Sequence, residues 1–358
     1  MTFTNSSMLK NIIILFLVVI GLYFGKTFLM PLAIGALIAT LFLPFCNWME
    51  SKRIPKGLAV IISVLMLLLV ASSFVLVLGW QISELTNDFE LLKERAIEAT
   101  SRTQQFIFNH LGISIAKQSQ IIAKEQPSFS NIFQVIAGSL ASIFTNFILI
   151  IVYVFGLLYY RGHIKQFLLK LSPTDQRKET DKLIDRSAQV SQQYLVGLAK
   201  MIVCLWIMYG IGFSLLGIKN ALFFAILCGL LEIIPFIGNI TGTIITILVA
   251  TVQGASLSIV GGIAITYALV QFIQGWVLEP LIVGKQVKIN PLFTIVALVV
   301  GELIWGIPGV FIAIPLIAIF KIVCDHVDPL KPYGFLIGEV ESEKGELSIV
   351  KKIKKSLN

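Results

Sequence analysis

The chain has 358 residues, of which 56% are hydrophobic and 13% charged, with a mean hydropathy of +0.89 and a formal net charge of +8. Soluble domains carry about a quarter charged residues, so this composition excludes a soluble globular protein and specifies a polytopic membrane protein. The positive balance calls for no nucleic acid, because basic loops lying against anionic lipid account for it.

Apolar runs of about 20 residues signal spanning helices, and about eight can be counted. They cover 11–30, 32–48, 57–80, 138–160, 200–216, 221–252, 257–278 and 292–323. No small-residue cleavage site separates the first from the spans that follow, so it is read as a retained helix, not a signal peptide. The expected fold is therefore an all-α polytopic membrane protein with two broken or re-entrant segments and amphipathic extramembrane helices.

The domain reading follows the spans. Residues 1–80 hold spans one to three, 81–137 an extracytoplasmic amphipathic segment, and 138–160 span four. Residues 161–199 form a basic cytoplasmic connector, 200–325 the half with the broken helices, and 326–358 a basic tail. In 82–106, apolar residues recur every three or four positions from Ile82 through Leu85, Phe89 and Leu92, the seam of an amphipathic helix. In the connector, Ser172-Pro173-Thr174-Asp175 reads as a helix start, with Ser172 as the cap.

Lys and Arg accumulate on the cytoplasmic side. Lys52, Arg53 and Lys56, the connector residues Arg161, Lys165, Lys170, Arg177, Lys178, Lys182, Arg186 and Lys200, and the tail lysines all fall on one side of an eight-span arrangement. Both termini are thus expected in the cytoplasm, with membrane lipid as the constant partner.

The four cysteines, Cys46, Cys204, Cys228 and Cys324, stand singly in apolar runs and are read as small core residues. No phosphate-cradling loop, nucleophile elbow, acidic cluster or His/Cys pair occurs, so no enzyme, cofactor or metal is expected.

The informative residues are polar ones inside apolar runs. Segment 229–250, GLLEIIPFIGNITGTIITILVA, places Glu232, Pro235, Gly238 and Asn239 at mid-run, and 299–320 places Glu302, Gly306, Pro308, Gly309 and Pro315 similarly. An ionisable group in hydrocarbon costs a few kcal/mol and persists where it meets a cavity or a partner. Either carboxylate could instead tie two helices together, but a transport role is the preferred reading of Glu232 and Glu302. Discontinuous helices are also how secondary transporters expose half-helix ends to ions and polar solutes. Thr241, Thr243, Gln253, Gln271 and Gln274 add groups able to hold a polar solute or to bond between helices.

The runs LEIIPFIGNITG at 231–242 and WVLEPLIVGKQVKINPLF onward from 276 closely resemble the AI-2E (autoinducer-2 exporter) family, once filed as uncharacterised permeases. The pattern lies in Glu279-Pro280, Gly284-Lys285 and Asn290-Pro291, followed by Gly306, Gly309, Ala313 and Pro315. It is strongest over about 200–338. The resemblance implies a bacterial inner-membrane transporter of about eight spans, homo-oligomeric and in some members pentameric. Motif positions carried over are Glu232, Pro235, Gly238, Glu279, Pro280, Gly284, Asn290, Pro291, Gly306, Gly309 and Pro315. Family members export autoinducer-2, a small polar furanone-derived signal, or exchange sodium or lithium for protons. The expected function is thus secondary export of a small polar molecule; the alternatives are a Na⁺(Li⁺)/H⁺ antiporter and a non-transporting membrane scaffold. Candidates for the solute path are Glu232, Pro235, Gly238, Asn239, Gln271, Glu279, Glu302, Pro308 and Gly309.

Overall fold

A computed structural model describes residues 5–87, 101, 104–105, 107–109, 112–114, 116–118, 129–234, 237–283 and 289–339. The amphipathic seam from Phe89 onward, Pro235, Gly284, His110 and most of the tail lie outside the described residues.

Described residues are helical apart from turns and one isolated antiparallel bridge between Ile289 and Gly338. In order they are α1 (Asn5–Phe24), α2 (Lys26–Ser51), α3 (Lys56–Asn87), α4 (Phe129–Leu171), α5 (Arg177–Leu215), α6 (Ala221–Leu231), α7 (Ile237–Val252) and α8 (Leu257–Ile273). A π-helical segment, Gln274–Val283, continues α8; α9 (Pro291–Trp305), α10 (Ile307–His326), a 3₁₀ turn (Asp328–Leu330) and α11 (Lys331–Ile337) follow. Six stretches are long and apolar enough to cross a membrane: Lys26–Ser51, Lys56–Val77, Thr145–Leu171, Arg177–Leu215, Leu257–Glu279 and Ile307–His326. The chain is a multi-pass all-α membrane protein.

The two broken runs resolve into hairpins. Across 221–252, α6 has 11 residues and α7 has 16, about 16 and 24 Å at 1.5 Å per residue, so neither reaches the ~30 Å of a hydrocarbon core. A β-carbon on Gly238 would lie 1.7 Å from the Leu231 carbonyl oxygen, one on Gly242 would lie 3.1 Å from Cys228 Cα, and Thr246 Oγ1 stands 4.0 Å from Cys228 Sγ. Pairs whose sequence separation widens in this way belong to two helices folded back on each other. In the second run, α9 turns into α10 at Gly306, whose φ of +67° favours a residue without a β-carbon. Pro308 stands in the first turn of α10, where its missing N–H costs nothing, so it starts a helix and does not break one.

Two compact units divide the chain: residues 1–164 with 195–284, and residues 165–194 with 285–358. In the first, α2, α3 and α4 pack through Cys46, Val60, Val154 and Leu158, and Gly35 brings α2 against Tyr153 Cβ of α4. Arg161 closes that cluster with a 2.5 Å ion pair to Glu50. The same unit has a larger core in which Leu205, Tyr209 and Phe213 of α5 meet Phe224, Ala225 and Cys228 of α6, Ala250 of α7 and Ile263 of α8. Gly212 and Gly262 allow close helix packing, since added β-carbons would lie 2.4 Å from Thr266 and Leu216. Gly261 faces open space, and Gly217, with φ +68°, serves the turn after α5.

In the second unit, Ile289, Ala318 and Ile337 form a small core with Val190, Phe293 and Ile317. Lys165 bonds Asp181 (2.9 Å) and Asp185 (2.8 Å), joining the end of α4 to the start of α5. Ser172 does not cap α5 as the sequence suggests: a turn through 174–176 intervenes, α5 begins at Arg177, and Ser172 Oγ instead shares a 2.7 Å hydrogen bond with Thr180 Oγ1. The Gln176 N–H is drawn back to the Pro173 carbonyl (3.0 Å), which delays the helix.

Candidate functional site

Glu232 sits at the C-terminal end of α6, at the tip of the first hairpin. Its Oε2 accepts a hydrogen bond from Asn239 Nδ2, in the first turn of α7, and its Oε1 accepts from Gln274 Nε2 at 2.5 Å. Asn239 Nδ2 also donates to Gln274 Oε1 at 3.1 Å. Carboxylate and two amides therefore close a ring that joins the end of α6, the start of α7 and the first residue of the π-helical segment.

Backbone geometry dictates this meeting. The close Leu231–Gly238 contact lets α7 begin directly beside the end of α6, which puts Glu232 against the positive end of the α7 dipole. Gln274 is delivered where the winding of α8 changes, and such π-helical turns recur at functional sites because they rotate side chains out of α-helical phase. Asn239 is 0% and Gln274 8% exposed, so water does not compete strongly for either amide.

Polar groups continue along α7. Asn239, Thr243 and Thr246 follow one another at intervals of four and three, one face of a helix, and all three are buried. Thr246 Oγ1 donates to the Gly242 carbonyl at 2.7 Å. Tyr209 of α5, 0% exposed, places its hydroxyl beside Thr243 and in electrostatic range of Glu232, Cys228 and Tyr267.

The remaining sequence candidates have other places. Glu279 is exposed on the π-helical segment, near enough to act on Glu232 through charge, and Gln271 is half-buried three residues before Gln274. Asn290 caps α9, its side chain accepting from Leu292 N at 2.9 Å, with Pro291 at the first helical position; this motif pair is a helix start. Glu302 is exposed on α9. Gly309 makes the tight α9–α10 approach, where a β-carbon would lie 1.9 Å from the Gly301 carbonyl oxygen, and Pro315 is buried within α10. Pro280 lies within the π-helical segment. Tyr209 and Thr246 escape sequence reasoning, because a hydroxyl in an apolar run carries no mark of which face it occupies, whereas Cys228 lies in the core as its apolar surroundings suggest.

Among the described residues no group of three or more His, Cys, Asp or Glu side chains could hold a metal ion. The site is one carboxylate among amides and hydroxyls, on elements that belong to a folded-back helix pair. Residues 12–328 match the family model described as AI-2E family transporter. The chain belongs to the AI-2E transporter family.

Three relatives match along most of their length. The Bacillus subtilis (strain 168) protein YueF, provisionally named a transport protein, is 26% identical over 316 residues, covering 83% of this chain and 84% of its own. YrrI of the same organism, named likewise, is 23% identical over 315 residues, covering 84% and 87%. The Escherichia coli (strain K12) AI-2 transport protein TqsA is 22% identical over 348 residues, covering 94% and 97%. This AI-2E protein is accordingly a transporter-type membrane protein, and its hydrogen-bonded ring lies within the matched region.

Proposed function

We propose that this protein is a secondary carrier that exports a small polar molecule of the autoinducer-2 kind across a bacterial inner membrane. The carrying observation is the Glu232–Asn239–Gln274 ring at the tip of a helical hairpin. Half-helix ends there offer a polar environment within an apolar segment, and amides can exchange their bonds to one another for bonds to a neutral solute. The name of TqsA, an AI-2 transport protein, supports the choice of solute. Both termini lie in the cytoplasm, as the basic segments favour, and the protein assembles as a homo-oligomer, a pentamer by family resemblance.

Export follows if Glu232 and its amide partners rearrange between a closed ring and an open, solute-bound form. Counterflow in proteoliposomes tests it: internal autoinducer-2 should accelerate entry of labelled external autoinducer-2. Protein that moves no solute but forms stable complexes would instead be a membrane scaffold.

A second reading is favoured by the single carboxylate. Glu232 with neighbouring amide and hydroxyl oxygens could take a proton or a monovalent cation in turn, as a Na⁺(Li⁺)/H⁺ antiporter requires. Sodium or lithium gradients that drive proton movement in the same liposomes, without autoinducer-2, would establish it.

A further inference from the structure

Beside the Glu232 ring, three buried polar atoms lack a hydrogen-bond partner: Asn239 Oδ1, Thr243 Oγ1 and Tyr209 OH. Their residues are 0%, 5% and 0% exposed. Asn239 and Thr243 stand one turn apart on one face of α7, and Tyr209 reaches the same place from α5, beside Thr243 and in electrostatic range of Glu232. Folded proteins keep few buried polar groups unpaired, and each asks for an explanation. Three together, next to a satisfied ring, point to a ligand group that supplies the missing bonds.

The chemistry of that group follows from the atoms. Asn239 has committed its amide nitrogen to Glu232 and Gln274, so only a carbonyl acceptor remains. Tyr209 and Thr243 hydroxyls can each give or accept a bond. The complementary group must donate to Asn239 and also exchange bonds with two hydroxyls, which an alcohol does. An anion would face the Glu232 carboxylate and the Asn239 carbonyl. An apolar group would leave all three atoms unmet.

We propose that Tyr209, Thr243 and the Asn239 carbonyl form a recognition site for one hydroxyl group of the transported solute. This assignment rests on the carrier reading above and narrows its substrate class to hydroxylated neutral molecules. Tyr209 and Thr243 determine specificity, while the Glu232 ring holds the hairpin tip that carries Asn239.

Full-length protein in proteoliposomes is assayed for counterflow of autoinducer-2 and of its monodeoxy analogues, as wild type, Tyr209→Phe and Thr243→Val. Wild type should favour autoinducer-2 over at least one analogue by about ten-fold, the order expected when a site built for a hydroxyl meets its absence. Both substitutions should shrink that preference several-fold. Each should lower the melting temperature in detergent only slightly, since neither hydroxyl makes a close hydrogen bond to the protein and the two act on each other only weakly. Variants that slow every solute equally, with the preference intact and a much lower melting temperature, would show that a resident structural water fills the place, and overturn the assignment. Loss of sodium dependence with discrimination unchanged would assign the oxygens to a cation and overturn it also. Wild-type protein that moves none of these solutes sinks the carrier reading together with this one; wild-type transport with full discrimination in both variants sinks this one alone.

Discussion

Gly238 and Leu231 touch backbone to backbone: a β-carbon on Gly238 would lie 1.7 Å from the Leu231 carbonyl oxygen. No side chain can rotate away to relieve that contact, so Gly238→Ala must separate α7 from α6 at the tip where Glu232 and Asn239 meet. Destabilisation of about 1–3 kcal/mol is expected from such overpacking, read as a lower melting temperature in detergent. Gly156→Ala is the control, because an added methyl there meets nothing within 4 Å. It should fold as well as the wild type, and equal loss in both variants would refute the backbone contact.

The amide–carboxylate ring predicts coupling between its members. Asn239→Ala leaves Glu232 with one donor and Gln274 Oε1 without its 3.1 Å partner, at a cost of about 1–3 kcal/mol for each buried group left unmet. Gln274→Ala breaks the same ring from another side, so the double variant should be less destabilised than the sum of the two single ones. Chemical denaturation in detergent micelles measures this. Strict additivity would mean that the three side chains do not act as a unit. Transport should fall in all three variants.

Much of this ring was legible in the sequence, and the reason for the rest is geometric. Glu232, Asn239 and the nearby break stand out because a carboxylate and an amide are rare in an apolar run. Gln271 and Gln274 are equivalent to a sequence reading that assumes one α-helix; the change to π-helical winding at Gln274 decides which one turns inward. That 221–252 and 292–323 are interrupted was legible from their length and their Pro/Gly breaks; whether each is a kinked helix or a re-entrant hairpin was not. Hydropathy measures what a segment is made of and not its direction, and it is the close contacts at Gly238, Gly301 and Gly309 that bring helices back against each other. Tyr209 sits in α5 among apolar residues, where an aromatic ring looks like packing and its hydroxyl becomes visible only when the neighbouring helix is placed.

Glu232→Gln separates the two transport readings. Substitution by an amide preserves shape but turns one acceptor of the ring into a donor, and no set of amide flips restores all three bonds, so one contact of the ring is lost. Folding should weaken by about 1–3 kcal/mol and still survive, which a melting curve in detergent checks. A cation/proton antiporter needs a group that exchanges a proton for the ion, so Glu232→Gln should abolish sodium- or lithium-driven proton movement while leaving at least part of any neutral-solute counterflow. Glu302→Gln, on the exposed side of α9, should change neither. If cation-driven proton movement persists in both variants, the antiporter reading is lost.

The re-entrant form of 221–252 makes a prediction about sides. A single straight span would carry the chain across the membrane between Lys219 and Ser256, whereas a folded-back pair returns it to the side from which it entered. Lys219 precedes α6 and Ser256 precedes α8, and both are exposed. Lys219→Cys and Ser256→Cys, each in a background with Cys46, Cys204, Cys228 and Cys324 replaced by serine or alanine, should react with a membrane-impermeant maleimide from the same face of intact cells. That face is the extracytoplasmic one if the basic connector before α5 stays in the cytoplasm. The second hairpin, α9–α10, likewise returns the chain to its starting side, so two hairpins leave the C-terminus where two straight spans would have left it. Orientation of the tail is therefore silent on the question, and the Lys219/Ser256 pair decides it: labelling from opposite faces would restore the straight span and remove Glu232 from a hairpin tip.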